Sequence, residues 1–151
     1  VYFWRIDKLI KQLATQKINQ KNIFLYLVGI TFFDVVVGIP ILDETFKNSD
    51  FEFLDWGLIS LATLISLVGM YFANGGDKGK DFLDRFVSIS FVMMIRYFVF
   101  VFSFAFIIGL LGADLESDVN TIIGLLVFYA LITFKSITNI REVVNIQNQN
   151  T

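Results

Sequence analysis

Apolar residues in this chain gather into four long runs, separated by short charged segments. The most extreme is 86–112, FVSISFVMMIRYFVFVFSFAFIIGLLG, in which Arg96 is the single full charge. A run of that length has the pattern of a membrane span and not of a soluble core helix. Spans are also predicted at about 23–42, interrupted by Asp34, at 56–73 and at 121–140. Trp56 and Tyr71 stand near the two ends of the second run, as interfacial belt residues do. Its Ser60, Thr63, Ser66 and Gly69 are small and polar at spacings of three, which favours close helix packing over a pore lining. Phenylalanine alternates from Phe98 to Phe106, as in a strand. The run is far longer than the roughly ten residues a barrel strand needs, and no companion strands accompany it, so a helix is predicted.

Outside the runs the pattern changes. Residues 1–22 carry Arg5, Lys8, Lys11, Lys17 and Lys21 against Asp7, with Phe3, Ile6, Leu9, Ile10 and Leu13 at helical spacing and Trp4 as an interfacial anchor. Two placements suit such a basic amphipathic helix. It lies on the anionic cytoplasmic leaflet, or it caps the bundle by packing on it. The chain opens on Val1, as a trimmed or incomplete chain would, and no apolar core is followed by a small-residue cleavage site. The spans themselves are therefore expected to direct insertion. The far end, 141–151, reads as a polar, frayed cytoplasmic tail.

One short stretch, NGGDKGKDFLDR at 74–85, has strong punctuation. Gly75, Gly76 and Gly79 predict a tight reversal, and Asp81 followed by Asp84 resembles a helix start. The glycines beside lysine invite comparison with a phosphate-binding loop. That pattern fails, because Asn74 stands where its first glycine belongs and Asp81 where Ser or Thr belongs. A calcium-binding loop fails too, for want of alternating acids. What remains is a cytoplasmic turn, with Asn74, Gly75, Gly76, Lys78, Lys80, Asp81 and Arg85 available to dock a partner.

Composition agrees with a membrane setting: 56% of residues are hydrophobic, only 17% are charged, and mean hydropathy is +0.68. Such an apolar excess would leave large aggregating patches on a soluble domain of this size. Neither cysteine nor histidine occurs. Their absence removes disulfides, thiolate metal sites, the commonest general base and the commonest metal ligand. Ten of the twelve Lys and Arg residues fall in 1–22, in the glycine-rich loop or from Lys135 onward. The loops 43–55 and 113–120 are acidic. This bias predicts both termini and the glycine-rich loop on the cytoplasmic side of the inner (plasma) membrane.

One acid and one base then remain inside the spans. Asp34 and Arg96 each lie about 15–17 Å from the cytoplasmic end of their run, near the middle of the hydrocarbon. A lone charge there costs at least ~2.5–3.5 kcal/mol, so opposite charges at equal depth should share a site. The sequence therefore predicts that the first and third spans are neighbours and that Asp34 faces Arg96. Thr31 lies on the side of Asp34, Ser103 on the side of Arg96, and Tyr97 and Tyr129 sit at similar depth.

The expected fold is an all-α integral membrane protein: a four-transmembrane-helix antiparallel bundle with an N-terminal amphipathic interfacial helix. The expected function is a non-enzymatic inner-membrane subunit that forms a homo-oligomer or joins a membrane complex. The alternative is a small oligomeric ion or proton channel or carrier using Asp34 and Arg96. No catalytic set, metal site, cofactor or nucleic-acid surface is expected; the lipid bilayer is the expected surrounding.

Overall fold

The computed structural model describes residues 2, 4–16, 18–35, 52–110 and 118–150, with side chains at 2, 4–16, 18–35, 56–103, 124 and 126–150. Among these the chain is all-α, with five α-helices: α1 Ile6–Thr15, α2 Gln20–Phe33, α3 Glu52–Ala73, α4 Phe82–Leu110 and α5 Asp118–Gln149. Residues 36–51 and 111–117, with Pro40 and the end of the first expected span, lie outside the described residues.

In α1 the buried positions Ile6, Leu9, Ile10 and Leu13 form one i, i+3, i+4, i+7 stripe. The stripe packs on α5 and α4, so the capping placement is the one adopted. A short turn with Ile18 buried leads into α2, where the Asn19 side chain accepts the Lys21 N–H at 3.0 Å and caps the helix. At its other end the Asp34 N–H is shared between the carbonyls of Ile30 and Thr31, the bifurcated bond common at helix ends.

Helix neighbours are mostly not the consecutive ones. α2 packs on α4, α4 on α5, and α5 on α3. Residues in contact reveal the directions. Tyr26 meets Phe91 with ring centroids 5.5 Å apart, and Phe33 meets Phe98 at 4.7 Å, so α2 and α4 run parallel. Thr133 donates to Ser66 at 2.8 Å and Ile137 reaches Gly69, so α3 and α5 run parallel as well. Only the α4–α5 pair is antiparallel, with Arg85 against Gln147 and Met93 against Asn139. The predicted neighbourhood of the first and third runs is thus present, and the long helices alternate in direction along the chain, as in an antiparallel bundle. Small residues decide the pairing: a Cβ on Gly29 would collide with the Phe91 ring, and one on Gly69 would lie 2.8 Å from the tip of Ile137.

Two helices, over Trp56–Ala73 and Phe82–Ser103, are long and apolar enough to cross a membrane among the described residues. Four were expected. The first expected span leaves the described residues after Val35, and α5 carries Lys135, Arg141, Glu142 and several amides along its second half. Residues 141–149 are also no frayed tail, because α5 continues to Gln149 with Ile140 and Val143 fully buried. Their spacing of three, repeated at Ile146, holds that end against α1 and α4.

Burial is uneven along the bundle. Leu9, Ile10, Ile89, Val92, Ile140 and Val143 make a closed core at the end bearing the glycine-rich turn. Elsewhere apolar side chains point outward, among them Phe32, Leu64, Ile65 and Phe100. Most of both span-length windows lies outside the core, unlike the central helix of a soluble protein.

The glycine notches should differ in sensitivity. Gly29→Ala is expected to destabilise the fold by about 1–3 kcal/mol, because an aromatic ring must move. Gly69→Ala should cost less, since the flexible tip of Ile137 can swing aside. Gly57→Ala meets open space and should be neutral or slightly stabilising. Unfolding in mixed micelles measures all three.

Candidate functional site

The punctuated stretch folds as a reversal that closes on itself. Gly75 and Gly76 adopt φ of 101° and 57°, which a side chain would resist. A 3₁₀ turn over Gly76–Lys78 follows, and Asp81 takes φ of 51° before its carbonyl accepts the Arg85 N–H. Gly79 is extended and has a different reason to be glycine: a Cβ there would collide with Asn74. Tyr71 donates its hydroxyl to Asp77 across the base of the turn. The interior is filled by Asn74, so the turn holds no phosphate-sized cradle.

Beneath it lies Arg85, only 1% exposed. One guanidinium nitrogen donates to Asn74 Oδ1 at 2.7 Å and the other to Gln147 Oε1 at 2.5 Å. Asn74 in turn donates to the Lys80 carbonyl at 3.3 Å. Asp81 is near enough to act on the guanidinium charge. Three separate parts of the chain are therefore tied to one cation: the end of α3, the start of α4 and the end of α5. A buried arginine with amide acceptors is held by geometry, and each such charged hydrogen bond contributes about 1.5–3 kcal/mol. Arg85 Nε and the hydroxyls of Ser88 and Ser136 are buried without a partner among the described residues. Lys78, Lys80 and Asp81 remain exposed on the turn's outer side.

The intramembrane set divides into two groups. Arg96 lays its guanidinium over the indole of Trp4, 5.5 Å from the ring centre. No ion pair between Arg96 and Asp34 occurs among the described residues, so the expected pairing is corrected here. The α2–α4 register explains why. Phe33 opposite Phe98 puts Asp34 beside Val99, about 4.5 Å further along than Arg96. Helical side chains also lean toward the N-terminus, so Arg96 reaches back toward the glycine-turn end and away from Asp34. The indole offsets about 0.5–2 kcal/mol of the charge's cost, which is less than the ~2.5–3.5 kcal/mol that a central position demands. Trp4 is held nearby because the Tyr2 N–H donates to the Tyr26 hydroxyl at 2.8 Å.

Asp34 lies instead within charge range of Tyr129, whose hydroxyl is near Thr63; Thr63 itself donates to the Ile59 carbonyl at 2.9 Å. That group joins α2, α5 and α3. Thr31 is exposed on α2 beside an apolar groove of about 420 Å³ that Leu27, Val28, Phe32 and Val35 also line. Ser103 donates back to the Val99 carbonyl at 2.8 Å, and the Tyr97 ring meets Phe128 at 6.0 Å. Neither extends a polar path.

Trp4 as the partner of Arg96, and Gln147 as the partner of Arg85, are absent from the sequence-based site. The first was legible only as a belt residue. The second lies four residues beyond buried Val143, a helical spacing that could have marked the tail as packed. Among the described residues, no three acidic side chains gather to hold a metal ion. No protein-family model, curated protein or solved structure matches this chain.

Gln147→Ala is expected to lower stability by about 1.5–3 kcal/mol, since it strands a buried charged donor. The same variant should open the 74–81 turn to limited proteolysis. Cleavage unchanged from the parent would show that Arg85 does not hold the turn.

Proposed function

We propose that this chain is a non-enzymatic, multi-pass subunit of the inner (plasma) membrane. It crosses four times and assembles, as a homo-oligomer or in a membrane complex, through its outward apolar helix faces. The outward belt of apolar side chains on α2, α3 and α4 carries this reading, because it is continuous where a water-soluble bundle would be polar. The directions of the helices support it: α2 and α4 run one way, α3 and α5 the other, as four successive crossings require. The distribution of Lys and Arg supports cytoplasmic termini and a cytoplasmic glycine turn. On that side the exposed lysines of the turn are available to a partner, while Arg85 beneath them keeps its shape.

A second reading, a small ion or proton channel or carrier, is favoured by one observation. Asp34, Tyr129 and Thr63 bring polar groups from three helices to one level of the bundle. Arg96 has no part in that version, so its key residue is Asp34 alone.

The absence of native cysteine makes the topology directly testable. Single cysteines replacing Lys78 and Asn148 should react with an impermeant maleimide only after the cytoplasmic side is opened. Cysteines replacing Glu44 and Asp114 should react from outside in intact cells. Labelling of all four from one side would contradict the four-span reading. Ion flux in proteoliposomes that disappears in Asp34→Asn would favour the second reading over the first.

A further inference from the structure

We propose that the outer face of α1, together with the Trp4–Arg96 contact, is a docking surface for anionic phospholipid headgroups of the cytoplasmic leaflet. This rests on the membrane reading above and gives α1 a specific partner within it. The apolar stripe of α1 is covered by α4 and α5, so the helix cannot bind lipid by inserting that face. Its opposite face carries Arg5, Lys8 and Lys11, all exposed and spaced by three, with Asp7 as the acid beside them. Lys21 at the start of α2 is exposed as well.

Position makes this charge more than a solvated face. Trp4, one residue before Arg5, is 52% exposed and lies beneath the guanidinium of Arg96. Arg96 belongs to a span-length apolar helix whose following residues, from Val99 to Phe102, face outward. The basic face of α1 therefore adjoins, through one indole, the wall that meets hydrocarbon. Phosphodiester headgroups occupy that boundary, and an amphipathic indole suits it. Arg96 gains there as well, because leaning toward the headgroups supplies the stabilisation that the ring alone leaves incomplete. An acidic soluble protein would match the charge but would have no use for the continuity with the lipid-facing wall. The anionic leaflet matches both.

Two tryptophans occur in the chain, so Trp56→Phe leaves Trp4 as the sole emitter. That protein, reconstituted in phosphatidylcholine vesicles with 30% phosphatidylglycerol, is compared with the bromine label placed on one lipid or the other. Quenching of Trp4 should report phosphatidylglycerol enriched about threefold over its bulk fraction, with the enrichment falling in high salt. The combined variant Arg5→Gln, Lys8→Gln, Lys11→Gln should abolish the enrichment at unchanged helicity, whereas Arg5→Lys should keep it. Equal quenching by both lipids, or enrichment that survives the triple variant, would overturn the proposal. A Trp4 that neither lipid quenches, in protein that still co-floats with vesicles, would overturn it in favour of water or an acidic soluble partner. Failure of the parent protein to co-float would overturn the membrane reading itself.

Discussion

Phe91 seated in the notch at Gly29 is the contact on which the arrangement of charges depends. It sets α2 against α4 in parallel, with Phe33 beside Phe98. Once that register is set, Asp34 and Arg96 cannot be level, and the helix direction turns the guanidinium further away. Each charge is then met by something other than its opposite. Arg96 takes an indole from the N-terminal segment, and Asp34 takes the neighbourhood of a tyrosine. A shared ion pair would bury two charges at once and regain their desolvation only with ideal geometry. Separate placements, Asp34 exposed and Arg96 half-buried, avoid that cost.

The same contact sits where the molecule changes character. On the glycine-turn side, α1 closes a core of the kind found in water-soluble bundles, and Arg85 ties the ends of three helices together. On the other side, packing is looser and apolar side chains face outward. Helix length reflects both settings. α4 has 29 residues, about 44 Å of helix, which exceeds a hydrocarbon thickness of roughly 30 Å. The excess is the part enclosed by α1. The basic side of α1 then stands where enclosed core gives way to outward-facing wall.

Features governed by local periodicity were readable beforehand. The α1 stripe, the positions of the apolar runs and the glycine reversal all follow from spacing within one element. What counting along a helix does not supply is rotation about its axis and sliding against a neighbour. Equal distances from the ends of two runs therefore placed Asp34 and Arg96 at one height, whereas packing at Gly29 shifted them apart. Charged residues misled in a similar way. Arg85 was grouped with the loop and is buried helix; Arg141 and Glu142 looked like tail and are helix, because a charge on one side does not prevent burial of the other. Gln147 and Asn74 gave little warning, since an amide becomes notable only when a buried cation needs an acceptor.

Cross-linking between α2 and α4 tests the register most directly, because no native cysteine competes. With cysteines at positions 33 and 98, mild oxidation in membranes should form an intramolecular disulfide readily. Cysteines at positions 34 and 96 should remain largely reduced under the same treatment. Efficient closure of the second pair, with the first left open, would contradict the separation of Asp34 from Arg96.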